Sequence, residues 1–211
     1  MSAVACLWRP AAPWLYAAAS AMLLLVAVIF RPWMTSTMAL HMLVHIPLIL
    51  LAGACAAVAC LAQIRRGMFL RRPWVFDQYR KYNGYGLPGL LFVTLVLAYW
   101  MIPKSLDQVL FSTGAGCLKF LGLFLAGMVL FDSLGRADKV IKLFFLGGFS
   151  WMTAVVGMLY QDNPSRLCNF YLLGDQELTG RGLVVVAVVL PAAWLWIEHR
   201  QARRYRRKCV R

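Results

Sequence analysis

Six blocks of apolar residues dominate the chain, at about 13–30, 38–62, 86–102, 109–131, 140–160 and 182–197. As helices, they match the roughly 30 Å hydrocarbon core of a bilayer, which takes about 20 residues at 1.5 Å each. In lipid the backbone polar groups of a segment must be satisfied internally, so uninterrupted apolar runs predict helices. The expected fold is therefore all-α, a polytopic transmembrane helix bundle of about six spans forming a single integral membrane domain over residues 1–211. Trp8 and Trp14 are placed as interfacial anchors for the first span, and Arg31-Pro32-Trp33 ends it. Thr35, Ser36 and Thr37 can cap the second. Pro47 lies inside that span and predicts a kink just beyond His45. Trp100-Met101-Ile102-Pro103 closes the third span, and a tight turn at 104–108 leads into the fourth.

The polar stretches between blocks carry the charge. Residues 63–85 hold six basic residues interleaved with Phe69, Trp74, Phe76 and Tyr79, a pattern for a segment lying along the bilayer surface. A short charged connection follows at 132–139, and a second long loop at 161–181 contains Cys168, Asp175 and Gln176. The net charge of +14 would ordinarily raise nucleic acid as a partner, but the basic residues flank spans instead of forming a soluble patch. Counted over alternate loops, 17 of 22 basic residues fall on one side, so both termini are expected in the cytoplasm. The implied location is a bacterial inner membrane, with lipids as surroundings and no nucleic-acid partner. With 62% hydrophobic residues and a mean hydropathy of +0.68, no separate soluble domain is expected. The first apolar block lacks a small-residue cleavage site and reads as a retained span. The cysteines are scattered across spans and both sides, which predicts no disulfide framework.

Candidate chemistry concentrates at the start of the second span. Met38, His41, Met42 and His45 fall on one helical face at spacings of three and four, with Met34 a turn earlier. Two imidazoles with thioethers suit a soft metal, Cu(I) above all. Met101, at the end of the third span, and Cys168, in the second long loop, are expected at a similar depth, on the periplasmic side. The alternative is that the methionines pack in the core and the histidines hydrogen-bond to neighbouring helices. Lys119 falls mid-way along the fourth span, where a charge costs about 2.5–3.5 kcal/mol on insertion scales. It is expected to face the bundle interior, either filling the space a metal would take or tying helices together. A haem site is disfavoured, because His41 and His45 share one helix and the third histidine, His199, lies at the opposite membrane face. No nucleophile–base pair, Gly-rich phosphate loop or Rossmann pattern is present, and the chain is not expected to be an enzyme.

His41-Met42-Leu43-Val44-His45, the turn Ile102-Pro103-Lys104-Ser105-Leu106-Asp107-Gln108, and Asp175-Gln176-Glu177-Leu178-Thr179-Gly180 occur in an order and spacing that resembles the CtaG family. The resemblance implies a diverged member of a group of membrane proteins implicated in copper delivery to haem–copper cytochrome c oxidases. It implies a Cu(I)-handling assembly factor with a respiratory oxidase or similar copper protein as partner. Asp107, Asp175 and Gln176 become candidate functional positions through it. One departure matters: family members commonly carry further histidines on the helix after the Pro-Asp turn, where this chain has Cys117 and Lys119. A non-catalytic accessory or scaffold subunit of a membrane respiratory or copper-enzyme complex is the competing expectation.

Overall fold

The computed structural model describes residues 12–65 and 74–209, and all its regular structure there is helical. In chain order the helices are α1 Pro13–Ile29, α2 Arg31–Met34, α3 Met38–Leu40, a π-helical turn at His41–His45, and α4 Ile46–Arg65. They continue with α5 Trp74–Tyr82, α6 Leu87–Trp100, α7 Pro103–Phe111, α8 Thr113–Arg136, α9 Lys139–Asp162 and α10 Leu173–Cys209. Cys6, Trp8, Arg9, Arg66, Phe69, Arg71, Arg72 and Arg211 lie outside the described residues.

Among the described residues four helical stretches are long and apolar enough to cross a membrane: Met38–Ile64, Thr113–Arg136, Lys139–Asp162 and Leu173–Arg200. Helices α6 and α7, bent by 74° at the break between them, would together make a fifth. The first apolar block forms a helix of 17 residues, apolar but shorter than the others. Burial runs opposite to a water-soluble protein. Leu25, Leu95, Leu121, Phe144, Trp151 and Val188 are exposed, while His41, His45, Lys119, Thr153 and Ser133 are buried. Lipid makes no hydrophobic demand on a helix exterior, so the polar side chains turn inward to find partners.

Helix α4 is the centre, with α1 on one side and α8 on the other. Helix α6 packs on α8, α9 and α10 form a hairpin, and α10 also reaches α3 and the π turn. Ser20 on α1 donates its hydroxyl to the Ala52 carbonyl of α4 at 2.8 Å. The buried stripe of α8 is Gly116, Lys119, Leu123, Ala126 and Gly127, spaced by threes and fours along one face. A Cβ on Gly127 would run into the Leu50 carbonyl, and one on Gly53 into the Phe124 carbonyl. The backbones of α4 and α8 thus touch, and glycine is what permits it. That contact brings the face bearing Lys119 against the helix that follows the histidines.

Several boundaries differ from the pattern of the sequence. Residues 104–108 are not a tight turn but part of α7, which starts with Pro103 in its first turn, where the missing amide costs nothing. Ser112 then breaks the chain in an extended conformation, and its hydroxyl accepts the Ala115 amide, so α8 begins at Thr113 instead of Val109. The last helix starts at Leu173, not at 182, and runs to Cys209, which puts Asp175 and Gln176 on its first turn. Pro191 lies within it without ending it. At the far end of the bundle, Asn83 donates to Tyr79 Oη at 2.7 Å and Ser133 Oγ at 2.9 Å and accepts the Gly89 amide at 3.1 Å. Tyr79 in turn donates to Asp132, which Arg136 grips with two hydrogen bonds. These bonds fix α5 to the end of α8.

Candidate functional site

The polar centre starts with an irregularity in the backbone. An α-helical turn here would send the amide of residue 47 to the Leu43 carbonyl, and Pro47 has no amide. The chain instead forms a π turn over His41–His45, in which the Ile46 N–H reaches back five residues to the His41 carbonyl. Such single π turns recur at functional sites. The kink expected beyond His45 is therefore taken up just before the proline, within the pair of histidines. Both imidazoles are fully buried, with ring centroids 5.6 Å apart and planes tilted by 46°.

Two backbone carbonyls dictate where the ring protons sit. The Ala27 carbonyl, 3.1 Å from His45 Nε2, can only accept, so Nε2 carries the proton and Nδ1 keeps a lone pair. The Thr35 carbonyl, 3.2 Å from Tyr171 Oη, takes the tyrosine's one hydrogen. Tyr171 Oη must then accept from His41 Nδ1 at 2.8 Å, which leaves the lone pair of His41 on Nε2. Both free lone pairs, His41 Nε2 and His45 Nδ1, face one point. Lys119 Nζ stands there, donating to them at 2.5 Å and 2.7 Å. Lys119 is fully buried, as are its two acceptors. The Lys119 amine thus sits between two neutral imidazoles, each oriented from behind by a backbone acceptor, directly or through a tyrosine.

The surroundings are apolar, apart from one more cation. The Phe120 ring packs edge-on against His45. Met38 and Met42 are buried in the core with Ile49, Trp100, Leu106 and Leu123. Met101 is half-buried against that core, and its carbonyl accepts the Tyr160 hydroxyl at 2.6 Å. Arg31 donates to the Val109 carbonyl at 3.1 Å and lies beside Gly116, one turn before Lys119. Among the described residues no three His, Cys, Asp or Glu side chains gather as a metal cluster.

The other sequence candidates form a second layer on the Tyr171 segment. Asp107 is buried; its Oδ2 accepts the Asn169 amide at 2.9 Å, and its Oδ1 has no hydrogen-bond partner among the described residues. The Cys168 thiol is buried too and donates to the Pro103 carbonyl at 3.5 Å. Burial, with the Asp107 carboxylate as a second cause, pushes that thiol up to about 12, so it stays protonated. Burial first, then Cys168 and the acids Asp107 and Asp175, likewise raises the Tyr171 hydroxyl well above its ordinary value. It therefore serves as a fixed neutral relay of hydrogen bonds. Gln176 accepts the Leu167 amide at 2.9 Å and donates to the Tyr160 carbonyl at 3.2 Å, pinning the segment to α9. Asp175 is half-buried at the start of α10, where its carbonyl accepts the Thr179 hydroxyl. The histidines and Lys119 thus meet directly, whereas Asp107, Cys168 and Gln176 hold the segment that delivers Tyr171.

Tyr171 and the Ala27 carbonyl were not among the residues singled out from sequence, and Thr35 stood there only as a cap candidate. An aromatic residue in a loop carries no signal of its own, and a backbone carbonyl carries none at all. Tyr171→Phe is expected to cost about 1–3 kcal/mol, because the buried His41 Nδ1–H loses its acceptor. Nitrogen-15 shifts of the His41 ring in micelles check this: one tautomer in the wild type, a mixture in the variant. Neither a family model, nor a curated protein, nor a solved structure matches this chain.

Proposed function

We propose that this chain is a multi-pass membrane factor that handles Cu(I) during assembly of a respiratory copper enzyme of the cytochrome c oxidase type. The single observation that supports it is the convergence of two imidazole lone pairs on one point inside an apolar bundle. Neutral imidazole is a ligand for copper, and a site without carboxylates favours a soft monovalent ion over Mg or Ca. His41 Nε2 and His45 Nδ1 would hold the ion. Their outer-shell hydrogen bonds to Tyr171 and Ala27 are of the kind that orient metal-ligating histidines. The basic-residue asymmetry supports an orientation with this end of the bundle toward the periplasm of a bacterial inner membrane, where an incoming copper ion would be met. The resemblance to the CtaG family supplies the recipient, a haem–copper oxidase.

Bicinchoninate competition on the detergent-purified chain tests the reading. The wild type is expected to take up Cu(I), and His41→Ala/His45→Ala to take up none. Equal uptake by the two would overturn it. A second reading, a metal-independent accessory or scaffold subunit, is favoured by one observation: Lys119 already engages both lone pairs. Under that reading neither chain takes up Cu(I), and the wild type co-purifies with an oxidase without it.

A further inference from the structure

The buried amine has a consequence for occupancy. Any ion held by His41 and His45 needs the two nitrogens to which Lys119 Nζ now donates at 2.5 Å and 2.7 Å. The amine and an ion cannot use the same lone pairs together. Neither imidazole can offer its other nitrogen in exchange, since His41 Nδ1–H is committed to Tyr171 and His45 Nε2–H to the Ala27 carbonyl. Lys119 is also not a passing visitor. It stands on the stripe of α8 that meets α4 backbone to backbone at Gly53 and Gly127, so its Cα is anchored where the side chain points at the pair. Gly116 and Leu123, the next positions of the stripe on either side, are buried as well.

We infer that Lys119 is a built-in competitor for the His41–His45 site, an intramolecular occupant that keeps metal affinity low and must swing aside before an ion can be held. This rests on the copper reading above. Competition of this kind makes a poor store and a good hand-over point. The ion is released into a chain that already carries the replacement ligand-binding group, so the vacated lone pairs are never left unpaired in an apolar interior. The displaced quantity is two buried hydrogen bonds from a cationic group, enough to weaken binding by about 10²-fold or more.

Three chains decide it: the wild type, Lys119→Leu, and Lys119→Gln, each with a His41→Ala/His45→Ala counterpart. Each is checked for a single size-exclusion peak and a helical circular dichroism spectrum before titration. Anaerobic Cu(I) competition at fixed pH is expected to rank them Leu tightest, then Gln, then wild type, with about 10²-fold between the ends. The Gln variant keeps an amide donor for one imidazole and guards against a Leu variant that fails to fold. Equal, histidine-dependent affinity in all three overturns the competitor while leaving the copper reading standing. Tight binding by the Lys119 variants with none by the wild type upholds the competitor and overturns copper handling by the natural chain. Binding by none of them overturns both.

Discussion

His41→Leu is expected to destabilise the bundle by about 2–4 kcal/mol, and Lys119→Leu added to the same chain to recover much of that loss. In the single variant a buried amine keeps one acceptor of its two. The Tyr171 hydroxyl loses a donor as well, though it still donates to Thr35. A stranded buried donor costs more than the hydrogen bond was worth, because the group was already stripped of its solvent. Removing the amine too leaves two apolar side chains of suitable size and strands only the His45 lone pair. A double-mutant cycle measured by unfolding in mixed micelles should return a coupling energy of about 1.5–3 kcal/mol. Strictly additive losses would mean that Lys119 and His41 do not hold each other.

Gly127→Val is expected to have the larger effect on folding, at about 3 kcal/mol or more, or a failure to accumulate in the membrane. The new Cβ would meet the Leu50 carbonyl, a backbone atom that cannot rotate away as a side-chain tip would. Relief requires α8 to move away from α4. Because Gly127 lies on the same stripe as Lys119, that movement also withdraws the amine from the histidines. Gly122→Ala in the same helix is the control. Its Cβ would meet nothing, and alanine is the better helix former, so the change should stay within about 0.5 kcal/mol of neutral. Equal damage at 122 and 127 would refute the close approach of the two helices.

Much of this arrangement was legible before any coordinates. Blocks of about 20 apolar residues gave the helices, since a single segment in lipid satisfies its own backbone only as a helix. His41, His45 and Lys119 stood out because each is a polar group where polar groups are expensive. What the spacing could not show was that Lys119 reaches the histidines. That depends on Gly53 and Gly127, which in sequence are two glycines among sixteen. The methionines illustrate the opposite limit. Their spacing put Met38 and Met42 on the face of the histidines, and both are buried core residues, as thioethers in helical proteins most often are. Helix α7 was missed because a Pro-Lys-Ser-Leu-Asp stretch has the composition of a turn and, with proline in its first turn, equally that of a helix start. Tyr171 was invisible because its role is set by a segment anchored through Asp107, which lies far from it in the chain.

The π turn makes the site depend on a length as well as on side chains. Removing Leu43 or Val44 would take out the extra residue of the wide turn and would change no polar residue. The flanking helices would keep nearly the same phase, but the two imidazoles would stand three positions apart, about 60° from each other around the axis. The two ring lone pairs would then no longer meet at the Lys119 amine as they do across the π turn. A relative with both histidines and the lysine, but one residue fewer between the imidazoles, would share the ingredients and lack the pocket. The interval of three residues between the two histidines is therefore as diagnostic of this centre as the histidines themselves.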